Sequence, residues 1–213
     1  NPAINFNPNN HTQHITPSFD VQWENKIILT NLEKKHGITL TLSPNYLETL
    51  KNTPLDEETK QFLKDKHKKA EELIDNIHKR QETMKKLVEI IVTNQSRFIQ
   101  KGWLYLVPLL QKDLAKIVGI SPSTISRILS SKYIQTPHGT TLLRQLCPRN
   151  HFGKTALRLR KVIADIIQKN PHLSDAKISH HLQSEGLPIA RRTVTKYRHQ
   201  AGLNTSFTRK QQN

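Results

Sequence analysis

The chain has 213 residues, of which 35% are hydrophobic and 6% aromatic, and this argues for several small helical cores rather than one large one. Its formal net charge of +16 points towards a polyanionic partner. The single cysteine, Cys147, excludes an intramolecular disulfide and a cysteine-ligated zinc site, and no apolar run approaches a membrane span.

The charge is unevenly placed. Residues 1–100 hold 14 Lys/Arg and 13 Asp/Glu, residues 101–153 hold 7 and 1, and residues 154–213 hold 12 and 3. A generic solubility charge would be spread evenly. This distribution instead suits a nucleic-acid-binding C-terminal half joined to a near-neutral, partner-binding half.

In chain order, residues 1–18 are rich in Asn and Pro and read as a flexible linker. The chain begins at Asn1 rather than Met, so the natural start is expected to lie before it. Residues 19–43 carry β-branched and aromatic residues, and Ile38, Leu40 and Leu42 alternate with Thr39, Thr41 and Ser43, as in a short extended segment. A helix is predicted next, with Ser43 as its N-cap and Pro44 in its first turn. From 56 to 100 there is no Gly or Pro, and Phe62, Leu63, Ala70, Leu73, Ile74, Ile77, Met84, Leu87, Val88 and Ile91 recur at helical spacing. Two long helices, or one bent one, are predicted, either as scaffold or as a docking face.

The stretch "QKDLAKIVGISPSTISRILS", 111–130, is a complete helix-turn-helix pattern. Ala115 allows a close helix approach, Gly119 supplies the turn, and Leu114, Val118, Ile120, Ile125 and Ile128 lock the pair. Ser121 is a predicted cap for the second helix, with Pro122 in its first turn. That helix would present Ser123, Thr124, Ser126 and Arg127 to phosphates or base edges, with Lys132 and Arg144 adding phosphate contacts. A helical hairpin in a bundle shares the packing pattern, but the basic surroundings favour DNA.

Pro148 and Gly153 punctuate "CPRNHFGK", and a second three-helix unit follows. Its first helix is amphipathic through Leu159, Val162, Ile163, Ile166 and Ile167, and its second starts at Ser174–Asp175 and ends at Gly186. Within the second, the adjacent His180 and His181 point to different sides and make poor metal co-ligands. In the last helix Ala190, Val194, Tyr197 and Ala201 fall on one stripe, leaving Arg191, Arg192, Thr193, Thr195, Lys196, Arg198 and His199 for the remaining surface. Arg191 and Arg192 sit at the helix N-terminus, where cations oppose the macrodipole, so a functional reason for them is favoured.

The nonapeptide "ARRTVTKYR", 190–198, resembles the signature box of the sigma-54 (RpoN-type) family of bacterial RNA polymerase sigma factors, with every fixed position kept. "STISR" with "KYIQTPHGT" looks like the family's helix-turn-helix and the segment after it. "LIDNIHKRQETMKKLVEIIVTNQSRFIQKG" and "LTLSPNYLETL" look like parts of its core-binding domain. The resemblance implies an all-α, mainly helical chain with a short extended segment near its start, built as three small helical units in series, two of them helix-turn-helix. The units would be a core RNA polymerase-binding part at 19–105, a helix-turn-helix domain at 106–147 and a box domain at 154–204, with a linker at 1–18 before them and a tail at 205–213 after them.

It also implies a non-catalytic polymerase subunit of the bacterial cytoplasm that needs no cofactor or metal. The helix at 111–130 would lie near a GC-containing downstream promoter element. Arg191 or Arg192 would read a GG-containing upstream element through bidentate guanine contacts. Initiation would depend on an AAA+ activator ATPase acting through a glutamine-rich N-terminal region, which this sequence lacks, and through the core-binding part. After "TPHGT" the family often carries a run of aromatics, where this chain has "LLRQLCPRNHF". A transposase or recombinase with two helix-turn-helix units is the alternative, but it needs clustered carboxylates for metal ions. Beyond residue 100 only Asp113, Asp165, Asp175 and Glu185 are acidic.

Overall fold

The computed structural model describes residues 15–36, 40–43, 48 and 56–211. The helix predicted from Ser43 and Pro44 and most of the N-terminal linker lie outside them, and residues 40–43 form no strand. The extended structure sits earlier. Strands β1 (Phe19–Trp23) and β2 (Ile27–Asn31) make an antiparallel hairpin, followed by the short helix α1 (Leu32–His36).

Helix α2 (Glu57–Asn94) is one helix of 38 residues, so of the two arrangements expected here the chain takes the single rod. Asp56 caps it by accepting from Thr59 N at 3.1 Å. Only its C-terminal end, through Met84, Leu87, Val88, Ile91 and Val92, is buried. It continues after Gln95 into α3 (Ser96–Lys101). Gln95 is fully buried and satisfied: its Nε2 donates to Val107 O at 2.7 Å and Leu146 O at 2.8 Å, and its Oε1 accepts from Val107 N at 2.9 Å. One amide thus ties the rod to the segments on both sides of the helix-turn-helix.

That motif comprises α4 (Gln111–Val118) and α5 (Pro122–Ser131). Gly119 takes φ 79° and returns its N–H to Ala115 O at 2.9 Å, ending α4 where a side chain would be strained. After α5 come strands β3 (Tyr133–Thr136) and β4 (Gly139–Leu142). The sheet order is β2-β1-β3-β4, with β1 and β3 parallel, Phe19 opposite Ile134.

The all-α expectation is therefore corrected: the chain is mainly helical but carries a four-stranded sheet. Its strands span four or five residues, too short to show alternation against helical neighbours, and the β1–β3 pairing joins segments far apart in sequence. The packing does not break where the expected parts meet. One buried cluster runs from Phe19 through Leu87, Phe98, Leu114, Ile125 and Ile134 to Cys147, so the line drawn between residues 105 and 106 crosses a shared core.

A second cluster, separate from the first, is built from Leu159, Ile163, Ile167, Ile178, Leu182, Val194 and Tyr197. It joins α6 (Ala156–Lys169), α7 (Asp175–Ser184) and α8 (Arg191–Gln200); the Thr155 and Ser174 side chains cap the first two, and Ala190 precedes the third without a side-chain cap. The last described element is α9 (Ser206–Gln211), within the expected tail.

Candidate nucleic-acid interface

In the first unit, α5 begins with a hydroxyl cluster. Ser121 Oγ accepts from Thr124 N at 3.2 Å and lies 2.9 Å from Ser123 Oγ and 2.8 Å from Thr124 Oγ1. Ser123, Thr124 and Arg127 are exposed and Ser126 is half-buried. Ile125 and Leu129 hold the opposite face in the core, so Ser123, Thr124 and Arg127 share an exposed face with Ser126 at its edge. Lys132 is different. Its ammonium meets Glu33 Oε1 from α1, and Ser18 Oγ donates to the same oxygen at 2.7 Å. Burial alone would raise the Glu33 pKa, but the Lys132 and Ser18 hydrogen bonds and the Lys132 charge outweigh it and lower the value. A paired lysine is a poorer phosphate ligand than the exposed Arg127 and Arg144.

In the second unit, α8 is positioned by Val194 and Tyr197, both buried as expected. Ala190 is not part of that face. It is the exposed N-cap residue, and Ile189, 1% exposed, fills the core instead, its carbonyl accepting from Ser179 Oγ at 2.6 Å. Alanine has no side chain to cap the helix, so the first turn of α8 leaves backbone N–H groups open. Arg191 and Arg192 stand exposed around that open turn. Arg192, Lys196 and His199 follow at helical spacing on one exposed face, and Thr193 is half-buried.

Arg198 was expected on this surface and is corrected. It is 3% exposed, its Nε donates to Asp175 Oδ1 at 3.0 Å and Oδ2 at 3.2 Å, and its Nη1 donates to Leu203 O at 2.8 Å. Thr195 is also drawn inward, its Oγ1 donating to Asp175 Oδ2 at 2.9 Å. Positions 191, 195 and 198 follow one helical line, which turns towards α7 after its first residue. Burial raises the Asp175 pKa, but the hydrogen bonds from Arg198 and Thr195 and the charges of Arg198 and Arg209 outweigh it, and the net shift is downward. Arg209 extends the clamp from α9, donating to Pro171 O and Leu173 O at 2.9 Å each.

Sequence reasoning treated Asp175 as a cap-region acid. Only its position after Ser174 was visible, since its partner lies 23 residues on in another helix. Among the described residues no cluster of His, Cys, Asp or Glu could hold a metal ion, and no helix is long and apolar enough to cross a membrane. Cys147 is buried, which pushes its thiol up to about 12 and leaves it unreactive.

The family described as "Sigma-54, DNA binding domain" matches residues 60–211, taking in the helix-turn-helix, the second three-helix unit and most of α2. The chain belongs to the sigma-54 family. An RNA polymerase sigma-54 factor from Pseudomonas putida is 30% identical over 207 residues, covering 93% of this chain and 41% of that protein. The Escherichia coli sigma-54 factor is 29% identical over 208 residues, covering 93% of this chain and 43% of its own. This sigma-54 chain thus spans about two fifths of the length of the curated relatives it matches. A crystal structure of Aquifex aeolicus sigmaN bound to promoter DNA superposes with a TM-score of 0.70 at 32% identity, covering 92% of this chain and 60% of that one.

Proposed function

We propose that this sigma-54 chain directs RNA polymerase to promoters by sequence-specific DNA binding and has no catalysis of its own. The observation that carries the reading is the N-terminal turn of α8. Two exposed arginines surround an uncapped helix end, and the helix beneath them is locked by the Asp175–Arg198 pair. Helix N-termini and arginine forks both suit phosphates, and an arginine fork matches the O6/N7 edge of guanine. In this reading Arg191, Arg192 and Lys196 meet the GG-containing element. Ser123, Thr124, Ser126 and Arg127 meet the downstream element, while Thr193 serves the edge of the α8 surface. Lys132 adds phosphate attraction only when released from Glu33, and Thr195 and Arg198 position α8 rather than touch bases.

Residues 19–105 take the polymerase-binding role, with the exposed first half of α2 as the contact surface. Phe62 and Leu73 on it are 57% and 58% exposed. Residues 106–147 and 154–204 take the two DNA elements. Dependence on an AAA+ activator and a bacterial cytoplasmic site of action follow from the family reading. The transposase alternative has no observation in its favour. The test is binding of the purified chain to a duplex carrying both elements, with and without core polymerase. Preference over a scrambled duplex, strengthened by core enzyme, is expected. Equal binding to both duplexes in both conditions overturns the reading.

A further inference from the structure

Between Asp113 and Asp165 the chain has nine lysines and arginines and not one Asp or Glu. The middle of this stretch links the two buried clusters and holds a tight hairpin. His151 N donates to Lys154 O at 2.9 Å and Lys154 N donates to His151 O at 3.1 Å. Both central residues have positive φ, 54° at Phe152 and 77° at Gly153, the pattern of a type I′ turn. Asn150 Oδ1 fixes the turn by accepting from Gly153 N at 2.7 Å.

The first central position of such a turn favours Asn, Asp or Gly, and a bulky aromatic there is strained. This chain puts Phe152 at that position and leaves it 55% exposed. The ring therefore gains little burial in return for the backbone strain, and a strained, exposed side chain is a pointer to a contact made elsewhere. Its neighbours favour one class of partner: Arg149 is exposed, Lys154 is half-buried and Arg158 on the first turn of α6 is exposed. Lysines and arginines around an apolar tip are the composition that meets phosphates on either side of a duplex groove while the tip packs on its sugar edges.

We propose that the turn at 149–154 is a third DNA contact of this chain, with Phe152 packed on the sugar edges of the minor groove between the two promoter elements and Arg149 and Lys154 on the flanking phosphates. The inference rests on the promoter-reading proposal above, because a chain with α5 and α8 in two major grooves of one duplex must cross the backbone between them with this link. Phe152→Asn is the informative variant, since asparagine suits the turn and the fold is retained. Arg149→Gln with Lys154→Gln removes the cations.

The experiment is titration of the full chain, with and without core polymerase, against the two-element duplex, a scrambled duplex and duplexes with one element each, over a range of salt. Phe152→Asn should weaken two-element binding about fivefold, the order of one lost apolar contact, and leave single-element binding unchanged. The double Gln variant should lower the salt slope by about 2. A wild-type chain that prefers the two-element duplex while Phe152→Asn binds it equally well overturns this inference and leaves the promoter reading standing. A loss that appears only with core polymerase present assigns the turn to a protein partner and overturns it as well. A wild-type chain without promoter preference defeats both.

Discussion

Helices α5 and α8 carry the exposed candidate residues of the two units and are built on opposite economies of charge. The N-terminus of α5 is capped by Ser121 and surrounded by hydroxyls that bond to one another. The N-terminus of α8 has an alanine at the cap and two arginines beside it. The first arrangement stabilises its own helix and leaves shape and short polar contacts for a partner. The second destabilises its helix end and leaves strong donors unsatisfied, so its stability must come from elsewhere. It comes from Asp175–Arg198, a nearly buried pair that the first unit lacks; there the nearest counterpart, Glu33–Lys132, is more exposed.

The largest expected effect separates those two pairs. Arg198→Ala strands Asp175 beside a low-dielectric core, and loss of one partner of a buried pair should cost the second unit about 3 kcal/mol. Lys132→Ala should cost the first unit about 0.5 kcal/mol. Of the two tryptophans, Trp23 lies on β1 and Trp103 in a turn that meets α6, so Trp23 fluorescence, read in a Trp103→Phe background, follows the first unit while far-UV circular dichroism follows both. In urea, Arg198→Ala should bring an early circular dichroism transition with the fluorescence midpoint unmoved. Coincident shifts in both signals would mean that the two cores unfold as one.

Next in size is the division between reading and positioning. Arg191→Ala or Arg192→Ala should weaken binding to a GG-containing duplex by about 1–3 kcal/mol and much less to random DNA, without loss of thermal stability. Equal losses on both duplexes reduce these arginines to phosphate contacts. Ser123→Ala and Thr124→Ala should each have a smaller effect, measured on the downstream element, because hydroxyls already bonded to Ser121 have less to offer.

Periodicity made most of the helical scaffold legible. The helix-turn-helix at 111–130, its turn glycine and its Ser121 cap are local features, encoded within a few residues of where they act. The sheet was not legible, because β1 and β3 meet across more than a hundred positions and neither alone has enough alternation to announce a strand. The buried Gln95 was invisible for a similar reason: its partners, Val107 and Leu146, are backbone groups that only the folded chain brings near. On α8, composition placed Arg198 with the other arginines, but burial depends on helical phase. Position 198 follows Val194 and Tyr197 and shares their side, while Arg192 and Lys196 face away. An ion-pair partner in another helix is what permits an arginine on that side.

A smaller effect tests whether the open end of α8 is a deliberate sacrifice. Ala190 already has cap geometry, with φ −67° and ψ 148°. Ala190→Asp should add about 0.5–1 kcal/mol to the second unit by capping the helix and complementing its dipole. The same change should weaken DNA binding, since the new carboxylate neutralises the end that attracts phosphate. Ser121→Ala should do the reverse in kind, removing about 1 kcal/mol from the first unit. A tighter DNA complex from Ala190→Asp would contradict the assignment of that end to DNA.

Acid should distinguish the units most gently. Asp175 and Glu33 both have pKa values below their ordinary ones in the folded chain. A carboxylate with a lowered folded pKa contributes stability that is fully present above its unfolded pKa and is lost as pH falls through the folded value. Both units should therefore keep their stability down to the ordinary carboxylate range and weaken below it, where the unfolded chain takes up protons first. The loss should be larger in the second unit, because Arg198 stays charged and nearly buried while its partner is neutralised, whereas Lys132 can turn to water. Asp175→Asn removes that titration, so its circular dichroism midpoint should be lower than the wild type's at neutral pH and should converge on it below the carboxylate range. Parallel pH profiles for the two proteins would show that Asp175 owes its place to hydrogen bonding alone, and that the charge of the pair is incidental to how α8 is held.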